Sequence, residues 1–147
     1  MGISMKILMT GGSGFVGRNV KEYLLQKGYD VYAPSSRELN GIDEEQVAAC
    51  LQKTRYDVVL NFAVYVNGTD PSKDGSRILD YNLRMFLNFY RHADLYGRMI
   101  YAGSGAEYDK RFPIMSVTEE DIENHLIPTH QYGLMKYSVN KMIEKSE

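Results

Sequence analysis

Residues 10–17 read TGGSGFVG, directly after the apolar run MKILM at residues 5–9. Gly11, Gly14 and Gly17 stand three apart. An apolar run that ends in such a turn, with an amphipathic stretch behind it, opens a strand–turn–helix unit. Glycine lets the chain bend tightly and lets a ligand or another backbone come close. A helix beginning there leaves its first N–H groups unpaired and adds the positive end of its dipole, a combination that favours an anion. The spacing is G-x-x-G-x-x-G rather than G-x-G-x-x-G. Its place at the first turn of a strand–helix–strand unit is nonetheless the context in which such a loop holds a pyrophosphate. Gly11, Ser13, Gly14, Phe15, Val16 and Gly17 are therefore read as cofactor-binding residues.

Outward from this loop, short apolar runs alternate with longer helical ones. KILMT (6–10) reads as a buried strand. GFVGRNVKEYLLQKG follows, with Phe15, Val16, Val20, Tyr23, Leu24 and Leu25 at helical spacing and Gly28 as its stop. DVYAP (30–34) reads as a second strand and LNGID (39–43) as a short third one. Asp43 is placed to cap the helix EEQVAACLQKT. DVVLNFAVYV (57–66) is the strongest strand signal, NGTDPSKDG a loop, and residues 76–97 a long helix. RMIYAGS (98–104) returns to strand, 108–130 reads as an irregular polar loop, and 131–147 as helix. This alternation predicts an α/β fold: a doubly wound parallel sheet with helices on both faces.

Composition sets the remaining bounds. With 147 residues, 44% hydrophobic and 24% charged, the chain suits one globular domain. A net charge of −2 argues against a nucleic-acid partner. No apolar run approaches the ~20 residues of a membrane span, and the start MGISMKILM is too short for a secretory leader. Lys6 stands where a myristoylation signal from Gly2 wants Ser or Thr. Cys50, the single cysteine, is expected to pack as a small hydrophobe. His92, His125 and His130 show no metal-ligand spacing, so no metal is expected. The eight methionines are scattered and read as core filler. The reading is of a cytoplasmic protein without nucleic-acid or membrane partners.

Two further stretches carry chemistry. After the second strand the chain reads SSREL, with Arg37 where a ribose 2′-phosphate would lie and Glu38 one residue later. An arginine there suits NADP, whereas an acidic residue suits NAD. NADP(H) is therefore favoured over NAD(H). In QYGLMK, Tyr132 and Lys136 lie at i and i+4, on one helix face. An ammonium beside a tyrosine favours phenolate and brings its pKa from ~10 toward a useful range. Upstream, the strand RMIY ends in Gly103-Ser104, at the sheet edge where such folds bind ligands. Ser104, Tyr132 and Lys136 are the candidate catalytic residues, with Ser104 donating to a carbonyl oxygen.

TGGSGFVG, GSGAEY and YGLMK, in that order, make the chain resemble the extended short-chain dehydrogenase/reductases, the sugar-nucleotide epimerase/dehydratase/reductase family. Within it, SRELNGID followed by DVVLNFAVYVNG is most similar to the GDP-L-fucose synthase branch and related 4-keto-sugar reductases. The resemblance covers essentially the whole chain. It implies hydride transfer at a carbon of a nucleotide sugar, with Tyr132 moving the proton, Lys136 also binding the nicotinamide ribose and Ser104 orienting the oxygen. It further implies Arg37 at the 2′-phosphate, Asp43 beside the adenine, Ala63 under the pyrophosphate, and Asn82 supporting the site from the long helix. Departures are Gly105 in place of a frequent serine and NFAV in place of smaller residues, with Tyr65 and Asn67 on the substrate side. A homodimer through helices 76–96 and 131–146 is also implied.

Family members are longer, and their C-terminal part builds most of the sugar site. Residues 1–147 are accordingly read as the dinucleotide-binding domain alone, a fragment without turnover by itself. The rival reading is a non-catalytic NADP(H)-binding or redox-sensing module.

Overall fold

A computed structural model describes residues 4–68, 70–111, 113–124 and 126–146. The chain divides into two compact units, Met1–Val64 with Arg84–Ala102, and Tyr65–Leu83 with Gly103–Glu147.

The first unit holds β1 (Lys6–Thr10), α1 (Phe15–Gln26), β2 (Asp30–Tyr32), α2 (Glu44–Lys53), β3 (Tyr56–Asn61), the later part of α3 (Ile78–Tyr90) and β4 (Tyr96–Tyr101). The four strands form one parallel sheet in the order β2-β1-β3-β4. Leu8 lies opposite Tyr32, and Thr10 opposite Asn61. Side chains alternate across a strand, so each face of β1 finds its own core. Ile7 and Met9 pack with Leu60 on one face, against Val20 and Leu24 of α1. Leu8 and Val59 pack on the other, with Val47 and Leu51 of α2 and Phe89 of α3. Right-handed crossovers explain the two faces. The chain steps from β1 to β2 in one direction, then back across β1 to β3 and on to β4. The doubly wound parallel sheet expected from the alternation is present, with helices on both its faces.

Several boundaries differ from the sequence reading. LNGID is not a strand. Asn40 Oδ1 accepts the N–H of Ile42 at 3.2 Å, and the N–H of Asp43 returns to the Asn40 carbonyl at 3.0 Å. An Asx turn therefore feeds the helix cap and leaves no extended run. β3 ends at Asn61 rather than Val66. Its neighbour β1 stops at Thr10, so no ladder continues, and side chains take over the backbone groups beyond. β2 stops at Tyr32, two residues before Pro34, which has no N–H to give. The long helix runs only over Ile78–Tyr90, with 3-10 turns at Gly75–Arg77 and Ala93–Leu95 on either side. Helix α1 turns only a narrow stripe, Gly17, Val20 and Leu24, toward the sheet, while Phe15, Val16, Tyr23 and Leu25 are exposed.

The second unit is built on α4 (Gln131–Glu144) and the 3-10 turns Gly75–Arg77, Gly105–Glu107 and Glu120–Asn124, together with the first turns of α3. No helix of the described residues is long and apolar enough to cross a membrane. Cys50 packs against the α2 side of the core, as its neighbours suggest.

The glycines make unequal demands. A Cβ at Gly17 would overlap the Gly11 carbonyl oxygen, whereas one at Gly14 would meet only that oxygen, at 3.4 Å. Gly17→Ala is expected to cost about 3 kcal/mol and Gly14→Ala under about 1 kcal/mol, read as midpoint shifts in urea unfolding.

Candidate functional site

At the end of β1, Gly11 adopts φ +70, a conformation open chiefly to glycine. A Cβ there would lie 2.7 Å from the N of Ala63. The glycine turn therefore presses on the segment that follows β3, at the point where the strand order reverses and open α/β sheets bind ligands. The turn closes with the N–H of Gly14 donating to the Gly11 carbonyl at 3.0 Å. Gly14 is the N-cap of α1, makes no side-chain cap, and no acidic residue stands in the first turn. Helix α2 is different: Asp43 caps it, and Glu44 and Glu45 fill its first turn. The N-terminus of α1 thus has neither a side-chain cap from Gly14 nor an acidic first turn, while that of α2 is neutralised from within.

A buried relay fixes the two edges of this cradle. The Ala63 N–H donates to Thr10 Oγ1 at 3.1 Å, and the Thr10 hydroxyl donates to Asn61 Oδ1 at 3.0 Å. Thr10 and Asn61 are both buried. The sequence reading named Ala63 and missed the other two, although a Thr and an Asn closing adjacent apolar strands is a usable signal.

Arg37 follows β2, is exposed, and makes no hydrogen bond or ion pair among the described residues. Glu38 beside it is tied down: its carboxylate accepts the Ser35 N–H at 2.8 Å, and the Ser35 backbone and hydroxyl hold it below the usual carboxylate range. Asp43 has both oxygens engaged by Gln46, at 3.1 Å to N and 2.9 Å to Nε2. Ser13, Phe15 and Val16 are exposed. A cavity of about 630 Å³ elsewhere in this unit, lined in part by Tyr32, Leu39, Cys50 and Tyr56, shares no residue with the glycine turn.

The catalytic candidates fall in the second unit. Ser104 caps the 3-10 turn Gly105–Glu107, its Oγ accepting the Ala106 N–H at 3.2 Å while Glu107 Oε1 accepts the Ser104 N–H at 3.0 Å. Capping uses an oxygen lone pair and leaves the serine O–H to donate elsewhere. Helix α4 starts at a His130 cap, Nδ1 accepting the Gly133 N–H at 3.1 Å. A Cβ at Gly133 would overlap the Ala106 carbonyl oxygen, so the glycine in YGLMK lets α4 lie directly on the serine turn. Lys136 Nζ sits 5.8 Å from the centroid of the Tyr132 ring. Lys136 is buried, and burial pulls its pKa down to about 8, against an opposing pull from Glu107.

Asn82 is buried on α3 and clamps one backbone unit. Its Oδ1 accepts the Tyr65 N–H at 2.8 Å and its Nδ2 donates to the Tyr65 carbonyl at 2.7 Å. Glu107 and Gly133 were missed by the sequence reading. Both carry a signal: S-x-x-E at 104–107 is a capping box, and a glycine inside a helix start calls for close packing. Among the described residues no group of His, Cys, Asp and Glu could hold a metal ion; His125 lies outside them.

The family model "NAD dependent epimerase/dehydratase family" matches residues 7–147, and the chain belongs to that family. It is similar to GDP-L-colitose synthase of Yersinia pseudotuberculosis, 26% identical over 144 residues, covering 95% of this chain and 47% of that one. It is also similar to GDP-L-fucose synthase of Azorhizobium caulinodans, 35% identical over 89 residues, covering 60% of this chain and 28% of that one. A solved GDP-mannoheptose C4 reductase from Campylobacter jejuni with NADP bound shares the fold, with a TM-score of 0.85 and 21% identity, over 99% of this chain and 44% of that one. The chain thus spans about half the length of the first relative.

The buried lysine gives a pH test. In a carbon-13 titration of the lysine side chains, Lys136 is expected to show a midpoint of about 8 instead of the ordinary 10.5. Between these values the unfolded chain binds the extra proton, so this group makes the fold more stable as pH rises from about 8 to 10.5. A midpoint near 10.5 would place the ammonium in solvent.

Proposed function

We propose that this chain is the NADP(H)-binding part of a nucleotide-sugar oxidoreductase, acting at a keto carbon of the sugar. The observation that carries the reading is the glycine cradle: a turn pressed against Ala63, opening a helix whose N-cap, Gly14, makes no side-chain cap. A pyrophosphate fits that donor set, since the helix N-terminus offers N–H groups and partial positive charge with no acidic residue to oppose it. Arg37, exposed and unengaged, would hold a 2′-phosphate through its planar donor fork. The names of the relatives, GDP-linked sugar synthases, and the NADP in the similar solved structure support the same direction.

When bound, NADPH supplies the hydride that reduces the keto carbon. The remaining roles belong to side chains of the second unit. The Ser104 hydroxyl donates to the carbonyl oxygen and orients it. The Tyr132 O–H delivers the proton as that oxygen gains negative charge, so the ketone becomes an alcohol. Lys136, set against the Tyr132 ring, favours the phenolate left behind and offers donors to a ribose hydroxyl. Positioning the sugar is worth ~7–11 kcal/mol of the barrier. In this reading, the part of the relatives that this chain does not span supplies it.

Two measurements test this reading. Gly14→Val is expected to weaken NADP(H) binding at least ~100-fold by calorimetry without unfolding the chain, because the added side chain meets little protein and blocks the anion. Arg37→Ala should weaken NADPH at least ~10-fold more than NADH; equal losses would make Arg37 a surface charge. With GDP- and dTDP-linked 4-keto sugars, the 147-residue chain is expected to give no appreciable NADPH oxidation. A longer form is expected to turn over and to lose at least ~100-fold on Tyr132→Phe. Full activity of that variant would remove Tyr132 from the chemistry, and a longer form without turnover would leave only the binding-module reading.

A further inference from the structure

We propose that Glu107 is the positioning residue of the Ser104, Tyr132, Lys136 group: one buried carboxylate holds the backbone of the serine turn and serves as counter-charge to the lysine. The proposal rests, for its functional meaning, on the role given to that group above.

Both charged side chains are buried, Glu107 at 7% and Lys136 at 5% exposure. Two opposite charges taken out of water into one packed region are tolerable only as partners. The elements that carry them are in direct contact, because Gly133 of α4 abuts the Ala106 carbonyl one residue before Glu107. Glu107 Oε1 accepts the Ser104 N–H at 3.0 Å, the reciprocal half of the box in which Ser104 Oγ accepts from Ala106. An amide would complete that box equally well, since glutamine is as usual there as glutamate. A glutamine would also avoid burying an ionised group. A carboxylate at this position therefore calls for a second purpose, and the ammonium of Lys136 supplies it.

The surroundings are few. The Asn140 side chain hydrogen-bonds Glu107 from α4, Glu144 on the same helix adds a like charge, and the Tyr132 ring stands 5.8 Å from Lys136 Nζ. Burial pushes the Glu107 carboxyl up and the Lys136 ammonium down, and their mutual attraction opposes both shifts. Without the carboxylate, burial alone acts on Lys136, and at neutral pH the lysine loses the proton with which it would stabilise a Tyr132 phenolate.

The test uses the 147-residue chain without cofactor, lysine-labelled with carbon-13. Glu107→Gln keeps an acceptor for the Ser104 N–H and removes the charge. The Lys136 midpoint is expected to fall by about one to three pH units, while hydrogen exchange at the Ser104 amide stays slow. Glu107→Ala is expected to speed that exchange at least ~10-fold by removing the acceptor. An unmoved Lys136 midpoint in Glu107→Gln, or a Ser104 amide indifferent to Glu107→Ala, overturns the assignment. Should Glu107→Gln fail to fold, Lys136→Met supplies the reciprocal reading: the Glu107 carboxyl midpoint rises if the pair exists and stays put if it does not. The functional reading fails separately. Wild-type chain that shows the coupling but binds no NADP(H) refutes the oxidoreductase and leaves the Glu107–Lys136 pair standing.

Discussion

The first unit is organised by how closely the α1 backbone can approach the carbonyl of Gly11. Any side chain at Gly17 would occupy the place of that oxygen. With hydrogen there instead, α1 packs on the sheet, and Val20 and Leu24 reach the cluster of Ile7, Met9 and Leu60. The apolar core and the course of the glycine turn thus depend on one contact: the packing that buries the helix also sets its first N–H groups at the carboxyl end of β1. Loosening that contact would lose both together.

Beyond the strands, side chains hold the main chain where no ladder does. In the first unit the Thr10 hydroxyl accepts the Ala63 N–H and donates its own O–H to Asn61 Oδ1. In the second, the Asn82 amide reads both the N–H and the carbonyl of Tyr65. A buried amide or hydroxyl with its partners satisfied fixes one geometry, because the alternative leaves polar groups unpaired at ~1–3 kcal/mol each. Such devices suit segments that line a binding edge, where regular hydrogen bonding stops and position still matters.

The second unit carries most of the buried charge. Ser104 and Glu107 close a capping box, Gly133 sets α4 against that turn, and Glu107 and Lys136 are both buried there. Its chemistry follows from burial. A lysine with a pKa of about 8 is a group whose charge a neighbour can decide near neutral pH, which a solvated lysine at 10.5 is not.

By itself the sequence determined the architecture and singled out the candidate site residues. Periodicity and glycine spacing were enough for a parallel sheet with helices on both faces, because alternation of strand and helix leaves few ways to bury both apolar patterns. The motifs proposed the glycine turn, Arg37, Ser104, Tyr132 and Lys136 as candidates, since each is written within a few residues of chain. Local patterns also misled where tertiary partners took over: LNGID looked like a strand until Asn40 and Asp43 turned it into a cap, and DVVLNFAVYV looked continuous although β1 ends opposite Asn61. Only the tertiary structure decided that Thr10 serves Ala63, that Gly133 seats α4 on the serine turn, and that Glu107 and Lys136 are both buried on elements in contact. These residues lie about 30 to 50 positions apart or on separate elements. The periods of helix and strand report which way a side chain faces, whereas the partner it meets there is set by how the elements pack.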